Sequence, residues 1–133
     1  MATYERILKR LSKVLERLGN KAASGVPIIV EGKNDVKALS KLGIIGKMIK
    51  VKGSGKVLED GLDLIYSNEV VIFVDFDEHG TELAKKISKI MESRGVKADL
   101  IIWRAVRALV RKRIKDVEGL PSYLERLKKK VQS

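Results

Sequence analysis

Acidic side chains follow two apolar stretches of the chain, in positions where they could serve phosphate chemistry. Asp75 and Asp77 come directly after the stretch VVIFV, and Glu31 follows the stretch IIV. Side chains two residues apart in an extended segment point the same way, so Asp75 and Asp77 can face one crevice. Two carboxylates held that close repel each other unless they are well solvated, one is protonated, or a cation lies between them.

A divalent cation between these carboxylates would be Mg²⁺, with Mn²⁺ as a substitute, because hard oxygen ligands favour both ions. Mg²⁺ usually keeps several waters and takes further ligands from substrate phosphates. The structural alternative is that the acids belong to an ordinary loop, or that one of them caps the following helix. The Asp-x-Asp pair alone leaves both interpretations open.

The elements that must position these acids alternate between strand and helix. Periodicity and helix-end signals predict a helix over 3–19, a strand at PIIVEG, a helix stopping at Gly43, a strand at GKMIKVKG, a helix over 57–66, a strand at VVIFV, a helix over 81–93 ended by Gly95, a strand at KADLIIW, and helices over 104–115 and from about Pro121. Such alternation predicts an α/β fold with parallel strands and right-handed crossovers. In open α/β sheets the ligand site lies outside the carboxyl ends of the strands. Glu31 therefore reaches the crevice of Asp75 and Asp77 if their two strands are neighbours.

Length and composition restrict the class of protein. The chain has 133 residues, so we expect a single domain over 1–133. It contains no cysteine, which excludes disulfides, thiolate metal sites and a Cys nucleophile. A content of 44% hydrophobic and 34% charged residues, with no apolar run near the roughly 18 residues of a membrane span, is typical of a soluble protein. The first residues lack the apolar core of a secretion signal, so we expect a cytoplasmic location and no membrane partner.

Two short motifs together resemble a known family. The chain reads VEGKND at the end of the first predicted strand and VDFDEHG at the end of the third. This pair resembles the Toprim domain of topoisomerases, bacterial-type primases, certain nucleases and recombination proteins, over roughly Val26 to Ile102. The small stand-alone Toprim proteins of archaea are most similar, together with the ribonuclease that matures 5S ribosomal RNA in some bacteria. An abundance of Lys, Arg, Ile and Val is also typical of heat-adapted organisms.

The resemblance implies a fold, a cofactor and roles for the acids. The fold would be a compact four-stranded parallel sheet with helices on both faces, Rossmann-like, plus N- and C-terminal helices flanking a core at about 26–102. Glu31 would be the general acid or base of phosphodiester chemistry and a further metal ligand. Asp75 and Asp77 would bind Mg²⁺.

Other residues near the two motifs would support the site. Gly32 and Gly80 follow the acidic positions, and a glycine there lets backbone or substrate approach closely. Asp35 falls on the first turn of the helix after Glu31, where it would support the site or stabilise the helix terminus. His79 has either an exposed position or a role as ligand or proton shuttle. The sequence does not decide whether Asp116 and Glu118 return toward the acids.

The net charge of +11 is concentrated at the two ends of the chain. Residues 1–25 carry six basic and two acidic side chains, residues 26–102 carry twelve of each, and residues 103–133 carry ten basic and three acidic. The C-terminal flank has a basic stripe at helical spacing, formed by Arg104, Arg107, Arg111 and Lys115. Such a stripe is either a solvated helix face or a contact surface for a phosphate backbone. The neutral core favours nucleic-acid binding.

Two functions agree with these features. The first is a Mg²⁺-dependent phosphodiester hydrolase or transferase acting on RNA or DNA, such as a nuclease or a primase-like enzyme, with RNA processing preferred. The second is a non-catalytic nucleic-acid-binding module, or an accessory subunit of a protein or ribonucleoprotein complex, that retains a Toprim metal site.

Overall fold

Short strands and amphipathic helices alternate from α1 to α5, and a 3₁₀ turn and a last helix follow. A computed structural model describes residues 3–133. In chain order the elements are α1 (Thr3–Ala23), β1 (Ile28–Val30), α2 (Lys33–Lys41), β2 (Met48–Lys50), α3 (Gly55–Leu62), β3 (Glu69–Ile72), α4 (Glu78–Ser93), β4 (Lys97–Asp99), α5 (Ile101–Val110), a 3₁₀ turn (Val117–Gly119) and α6 (Leu120–Gln132). The predicted α/β fold is confirmed.

The four strands form one parallel sheet in the order β2-β1-β3-β4. Val30 pairs with Lys50 of β2, and Ile29 pairs with Ile72 of β3. Strand β1 therefore has β2 on one side and β3 on the other. The carboxyl ends of β1 and β3 border the point where the strand order reverses, which is where ligands bind in open α/β sheets.

The two central strands are covered on both faces. Every residue of Ile28–Val30 is buried, and burial continues over Val70–Val74. Because successive strand residues point to opposite faces, this pattern requires helices on each side of the sheet. Helix α1 contributes Leu11, Leu15 and Leu18 to the core, and it packs against α5 and α6.

The fourth predicted strand is wrong in its second half. Strand β4 ends at Asp99, and α5 begins at Ile101, so the apolar run LIIW is mostly helical. The Asp99 carboxylate accepts a hydrogen bond from the backbone N–H of Ile101 at 2.8 Å, which fixes the start of the helix. A short apolar run does not distinguish a strand from a buried helix by periodicity. Trp103 is core, as its position beside the sheet indicates, and its indole N–H donates to the carbonyl of Val74.

Other predicted boundaries shift by a few residues. Helix α1 continues to Ala23, past the predicted stop near residue 19, and α5 ends at Val110 rather than at residue 115. The predicted helix 57–66 occupies Gly55–Leu62, and strands β2 and β3 are shorter than their apolar runs. Glycines with a left-handed backbone follow α2 and α4 as predicted, Gly43 at φ 80° and Gly95 at φ 76°. Across residues 3–133, no helix combines the length and apolar character needed to cross a membrane.

Candidate metal and phosphate site

The structure brings Glu31 and Asp75 together at the carboxyl ends of neighbouring strands. Glu31 follows β1 directly, and Asp75 follows the end of β3. One carboxylate oxygen of Glu31, Oε2, accepts a hydrogen bond from the backbone N–H of Asp75 at 2.9 Å. The acid at the end of one strand therefore contacts the backbone at the end of the next, as expected for neighbouring strands.

Asp75 is half-buried, and a distant segment holds its side chain. Its Oδ1 accepts a hydrogen bond from the backbone N–H of Val117 at 3.0 Å. Burial raises the pKa of Asp75 to about 7, the Val117 hydrogen bond opposes that rise, and the charges of Glu31 and Asp35 add to it. Without a cation, Asp75 thus titrates near neutral pH instead of in the acid range. A bound cation would favour its ionised form.

Asp77 is the N-cap of α4. Its Oδ1 accepts a hydrogen bond from the backbone N–H of Gly80 at 2.8 Å. One oxygen of this side chain therefore caps the helix, as the structural alternative expected. An ideal Cβ built on Gly80 would lie 2.0 Å from the carbonyl oxygen of Asp75. Only glycine therefore lets the first turn of α4 pack against the backbone of Asp75. Helix α4 begins at Glu78 instead of the predicted Thr81 because Asp77 supplies this cap.

Asp35 lies at the helix-terminus position that the sequence indicated. Its carboxylate accepts a hydrogen bond from the backbone N–H of Gly32 at 3.1 Å, and the side chain is buried. Burial raises the pKa of Asp35, while the Gly32 hydrogen bond lowers it. A Cβ on Gly32 would meet no atom within 4 Å, so packing does not require glycine there. The space in front of Gly32 opens into a cavity.

The carboxylate donors are of the chemical kind that Mg²⁺ prefers, but Asp77 lines a different cavity from Glu31 and Asp75, so the expected shared crevice of Asp75 and Asp77 is not formed in this arrangement. Glu31, Asp75 and Asp77 each have one oxygen held by a backbone N–H, which leaves the second oxygen of each Asp available as a hard ligand. Within residues 3–133, no three acidic or His side chains converge closely enough to enclose an ion. Mg²⁺ does not need such a cage, because it usually binds through one or two carboxylates and completes its shell with waters and phosphates.

A cavity of about 760 Å³ opens in front of Glu31 and Asp75. It is lined by acids, by lysines and by small or apolar residues: Glu31, Gly32, Lys33, Asn34, Asp35, Lys50, Lys52, Val57, Gly61, Asp75 and Glu118. Glu118 thus returns toward the acids, the possibility that the sequence left open. The lysines were missed in the sequence, although Lys50 is the last residue of β2 and Lys52 follows two residues later.

His79 lies next to Glu31 on the outer side of the site. Its side chain is 78% exposed, and its Nδ1 is 3.8 Å from Oε1 of Glu31. Both residues line a smaller cavity of about 450 Å³ with Lys52 and Ser54. His79 is therefore exposed, as one alternative expected, and is also within reach of the candidate acid or base.

The structure divides the predicted basic stripe. Arg107, Arg111 and Lys115 line a cavity of about 560 Å³ that also contains Asp77, whereas Arg104 does not line it. Arg107 is partly buried: its Nε donates to the carbonyl of Phe76 at 3.4 Å, and its guanidinium lies 5.6 Å from the centre of the Trp103 ring. Lys112, which the spacing did not single out, joins this group. Basic side chains therefore border the acidic edge at Asp77.

Comparisons with known proteins agree with the motif pair. Residues 25–102 match the Toprim domain family. A UPF0292 protein of the archaeon Methanosarcina barkeri is 37% identical over 128 residues, which cover 96% of this chain and 90% of the relative. A UPF0292 protein of Methanocaldococcus jannaschii is 36% identical over 119 residues, covering 89% and 92% of the two chains. A solved structure of an Aquifex aeolicus protein superposes with a TM-score of 0.63 at 29% identity, covering 81% of this chain and 95% of that one.

The Toprim match spans more than half of the chain and includes both acidic motifs. Its limits also agree closely with the segment from β1 to the start of α5. The chain therefore belongs to the Toprim domain family, with archaeal UPF0292 proteins among its relatives.

Proposed function

We propose that this protein is a Mg²⁺-dependent phosphodiester hydrolase or transferase that acts on nucleic acid. Membership of the Toprim family indicates a metal-dependent function related to nucleic acids, and Toprim domains generally bind Mg²⁺. The hydrogen bond from the Asp75 backbone to Glu31 carries the more specific proposal. It holds a candidate general acid or base directly beside a candidate metal ligand at the ligand-binding edge of the sheet.

In this proposal each acid has a separate task. A phosphodiester is anionic, and a bound Mg²⁺ would neutralise developing charge and orient the attacking and leaving oxygens in line. Asp75 and Asp77 would hold the ion through the oxygens that the Val117 and Gly80 N–H groups leave available. Glu31 would take a proton from the attacking hydroxyl or give one to the leaving oxygen.

The basic side chains would supply affinity for the substrate. Arg107, Arg111 and Lys115 border Asp77, where they can neutralise backbone phosphates near the metal. Arg104 lies on the exposed side of α5, where it would add a further phosphate contact. We propose RNA processing as the biological task, because the motifs resemble stand-alone Toprim proteins and the 5S ribosomal RNA ribonuclease, with residues 1–133 acting as one domain and a protein or ribonucleoprotein partner as a further component.

A non-catalytic binding module is the second candidate, and one observation favours it. The acids of residues 3–133 do not converge on an enclosed metal site, and Asp77 is already engaged as a helix cap. A module of this kind would bind nucleic acid in a salt-dependent manner without turnover. Its binding would survive loss of Glu31 or Asp77.

Turnover of labelled RNA and DNA, with and without Mg²⁺, separates the two functions. We expect Mg²⁺-dependent products from the native protein and a loss of about 10²-fold or more in Glu31→Gln, as for removal of a general acid or base. Glu59→Gln is the matched control, since Glu59 is exposed on α3 and outside the described cavities. Full activity of Glu31→Gln would contradict the assigned role. Binding without products in either protein would support the module.

A further inference from the structure

Three lysines form a group on the side of the acidic edge away from α5. Lys50 is the last residue of β2 and pairs with Val30, the residue before Glu31. Lys52 follows two residues later, and Lys33 is the first residue of α2. All three side chains are exposed and line the 760 Å³ cavity together with Glu31 and Asp75. We call Lys33, Lys50 and Lys52 the lysine wall.

The lysine wall faces carboxylates without pairing with them. Four acids line the same cavity: Glu31, Asp35, Asp75 and Glu118. Among residues 3–133, none of the three lysines has a carboxylate oxygen within 4.0 Å. The ammonium groups thus remain available to an anion from outside the chain. A cation at the acids would let that anion approach.

Basic side chains flank the acidic edge on two sides. The strand order β2-β1-β3-β4 places Lys50 and Lys52 beyond β1, and Lys33 begins the helix that follows β1. Arg107, Arg111 and Lys115 share a cavity with Asp77, which follows β3. Strands β2 and β3 are two strand spacings apart, about 10 Å. The two basic groups accordingly line different cavities, one in front of Glu31 and Asp75 and the other beside Asp77.

We infer that the lysine wall binds backbone phosphates on one side of the reacting phosphodiester while Arg107, Arg111 and Lys115 bind them on the other. This inference rests on the proposed function and adds that the substrate is a polynucleotide strand crossing the sheet edge, not a free nucleotide. The cavity volume, within the range of about 300–1,000 Å³ typical of ligand sites, accommodates a nucleotide unit. Val57, 64% exposed at the cavity, offers an apolar surface to its sugar or base.

The salt dependence of binding tests the lysine wall directly. Affinity for a labelled single-stranded oligonucleotide is measured by fluorescence anisotropy over a salt series in Mg²⁺, before product accumulates. In Lys50→Ala/Lys52→Ala we expect the slope of log affinity against log salt to weaken by about 1.4, because each phosphate contact of a single strand contributes about 0.7. A separate Lys33→Ala protein should weaken the slope by about 0.7.

Lys86→Ala/Lys89→Ala is the matched control. Both lysines are exposed on α4 and lie outside the described cavities. Their substitution removes the same net charge as Lys50→Ala/Lys52→Ala. We expect a slope close to that of the native protein. If the Lys50/Lys52 variant and this control have the same slope, the lysine wall does not bind phosphates and the inference is wrong. Thermal unfolding of each variant confirms that it is folded.

Competition with a free nucleotide tests the polynucleotide assignment. We expect Mg²⁺-adenosine triphosphate to displace the oligonucleotide only far above the concentration at which a second oligonucleotide does so. Displacement at equal concentrations, lost in Lys50→Ala/Lys52→Ala, would assign the cavity to a free nucleotide and overturn the inference.

The turnover assay separates failure of the inference from failure of the proposed function. If turnover is lost in Glu31→Gln and the salt slope of the Lys50/Lys52 variant is unchanged, the protein is an enzyme but the lysine wall does not bind phosphates. If the salt slope of the Lys50/Lys52 variant is weakened but the native protein shows no turnover, the lysine wall binds phosphates and the proposed enzymatic activity is wrong.

Discussion

Two groups of acidic side chains border the sheet, and only one of them is neutralised by the chain. Lys21 on α1 lies 2.5 Å from Glu69 and 3.7 Å from Asp99. The hydrogen bond to Glu69 raises the pKa of Lys21, and burial of the ammonium opposes this. Asp99 also fixes the start of α5 through the N–H of Ile101. Glu69 and Asp99 therefore have a structural role, and the Lys21 ammonium neutralises them.

The second group, at the carboxyl edge, has no such cation. Among residues 3–133, no Lys or Arg forms an ion pair with Glu31, Asp35 or Asp75. Backbone N–H groups hold these carboxylates instead, and the pKa values of Asp35 and Asp75 are raised mainly by burial. Acids kept in place without a counter-charge are typical of a site that receives one from outside.

The two groups of acids should differ most in their effect on Mg²⁺-dependent turnover. Asp75→Asn keeps an oxygen for the Val117 N–H but removes the charge of a proposed metal ligand, so we expect Mg²⁺-dependent turnover to fall at least about 100-fold, the upper range for outer-sphere partners of a metal. The metal-free variant should be at least as stable as the native protein at pH 8, because it has no half-buried charge at this position. Asp60→Asn, an exposed change on α3, is the control. Native-like turnover of Asp75→Asn would remove Asp75 from the site.

The next contrast concerns the backbone beneath the acids. Gly80→Ala places a methyl group against the carbonyl of Asp75, so we expect a loss of about 1–3 kcal/mol of unfolding free energy, the usual cost of overpacking. Gly61→Ala in α3 meets no atom within 4 Å and should stabilise the helix by about 0.5–1 kcal/mol. Urea denaturation of both variants measures the difference. Equal stabilities would show that the turn at Gly80 has room to adjust.

A smaller effect is expected at the neutralised group. Lys21→Met removes the partner of Glu69 and of the buried Asp99, and the unfolding free energy at pH 7 should fall by about 1–2 kcal/mol, because the lysine is partly exposed. Lys86→Met, on the exposed face of α4, should change it by less than about 0.5 kcal/mol. If the two variants were equally stable, the pairing of Lys21 would not distinguish the groups energetically.

The acids at the site were accessible from sequence because each ends an apolar strand. Glu31 and Asp75 follow IIV and VVIFV, and the rule that parallel strands present their carboxyl ends together predicted their meeting. The same rule applied to β2 would have found Lys50. It was missed because GKMIKVKG alternates lysine with apolar residues, a pattern that also describes an ordinary exposed strand.

The long-range contacts of the C-terminal segment could not be predicted from the sequence. The hydrogen bond between Asp75 and Val117 joins residues far apart in sequence, and its formation depends on where α5 ends. Periodicity extended that helix to residue 115, five residues beyond its end at Val110, and read LIIW as strand. An error of one turn in a helix moves every later residue, so neither the return of Glu118 nor the position of Lys115 beside Asp77 could be derived.

The smallest effect, and the most specific to the carboxyl edge, is the pH dependence of stability. The folded-state pKa of Asp75, about 7, lies above its ordinary value of 3.8, so its stabilising contribution is complete below about pH 4 and is lost as pH rises through 7. Because Asp75 is only half-buried, we expect a gradual decrease in the melting temperature of the metal-free protein between pH 5 and pH 8. Asp75→Asn should flatten that decrease, whereas Lys21→Met should not, because the stabilisation that goes with the raised pKa of Lys21 is constant between pH 5 and pH 8 and is lost only in alkaline solution. If Mg²⁺ binds through Asp75 as proposed, it competes with the proton on that side chain, so it should raise the melting temperature more at pH 8 than at pH 6. Thermal unfolding with EDTA and with Mg²⁺ at both pH values measures each quantity, and an equal Mg²⁺ effect at the two pH values would contradict metal binding through Asp75.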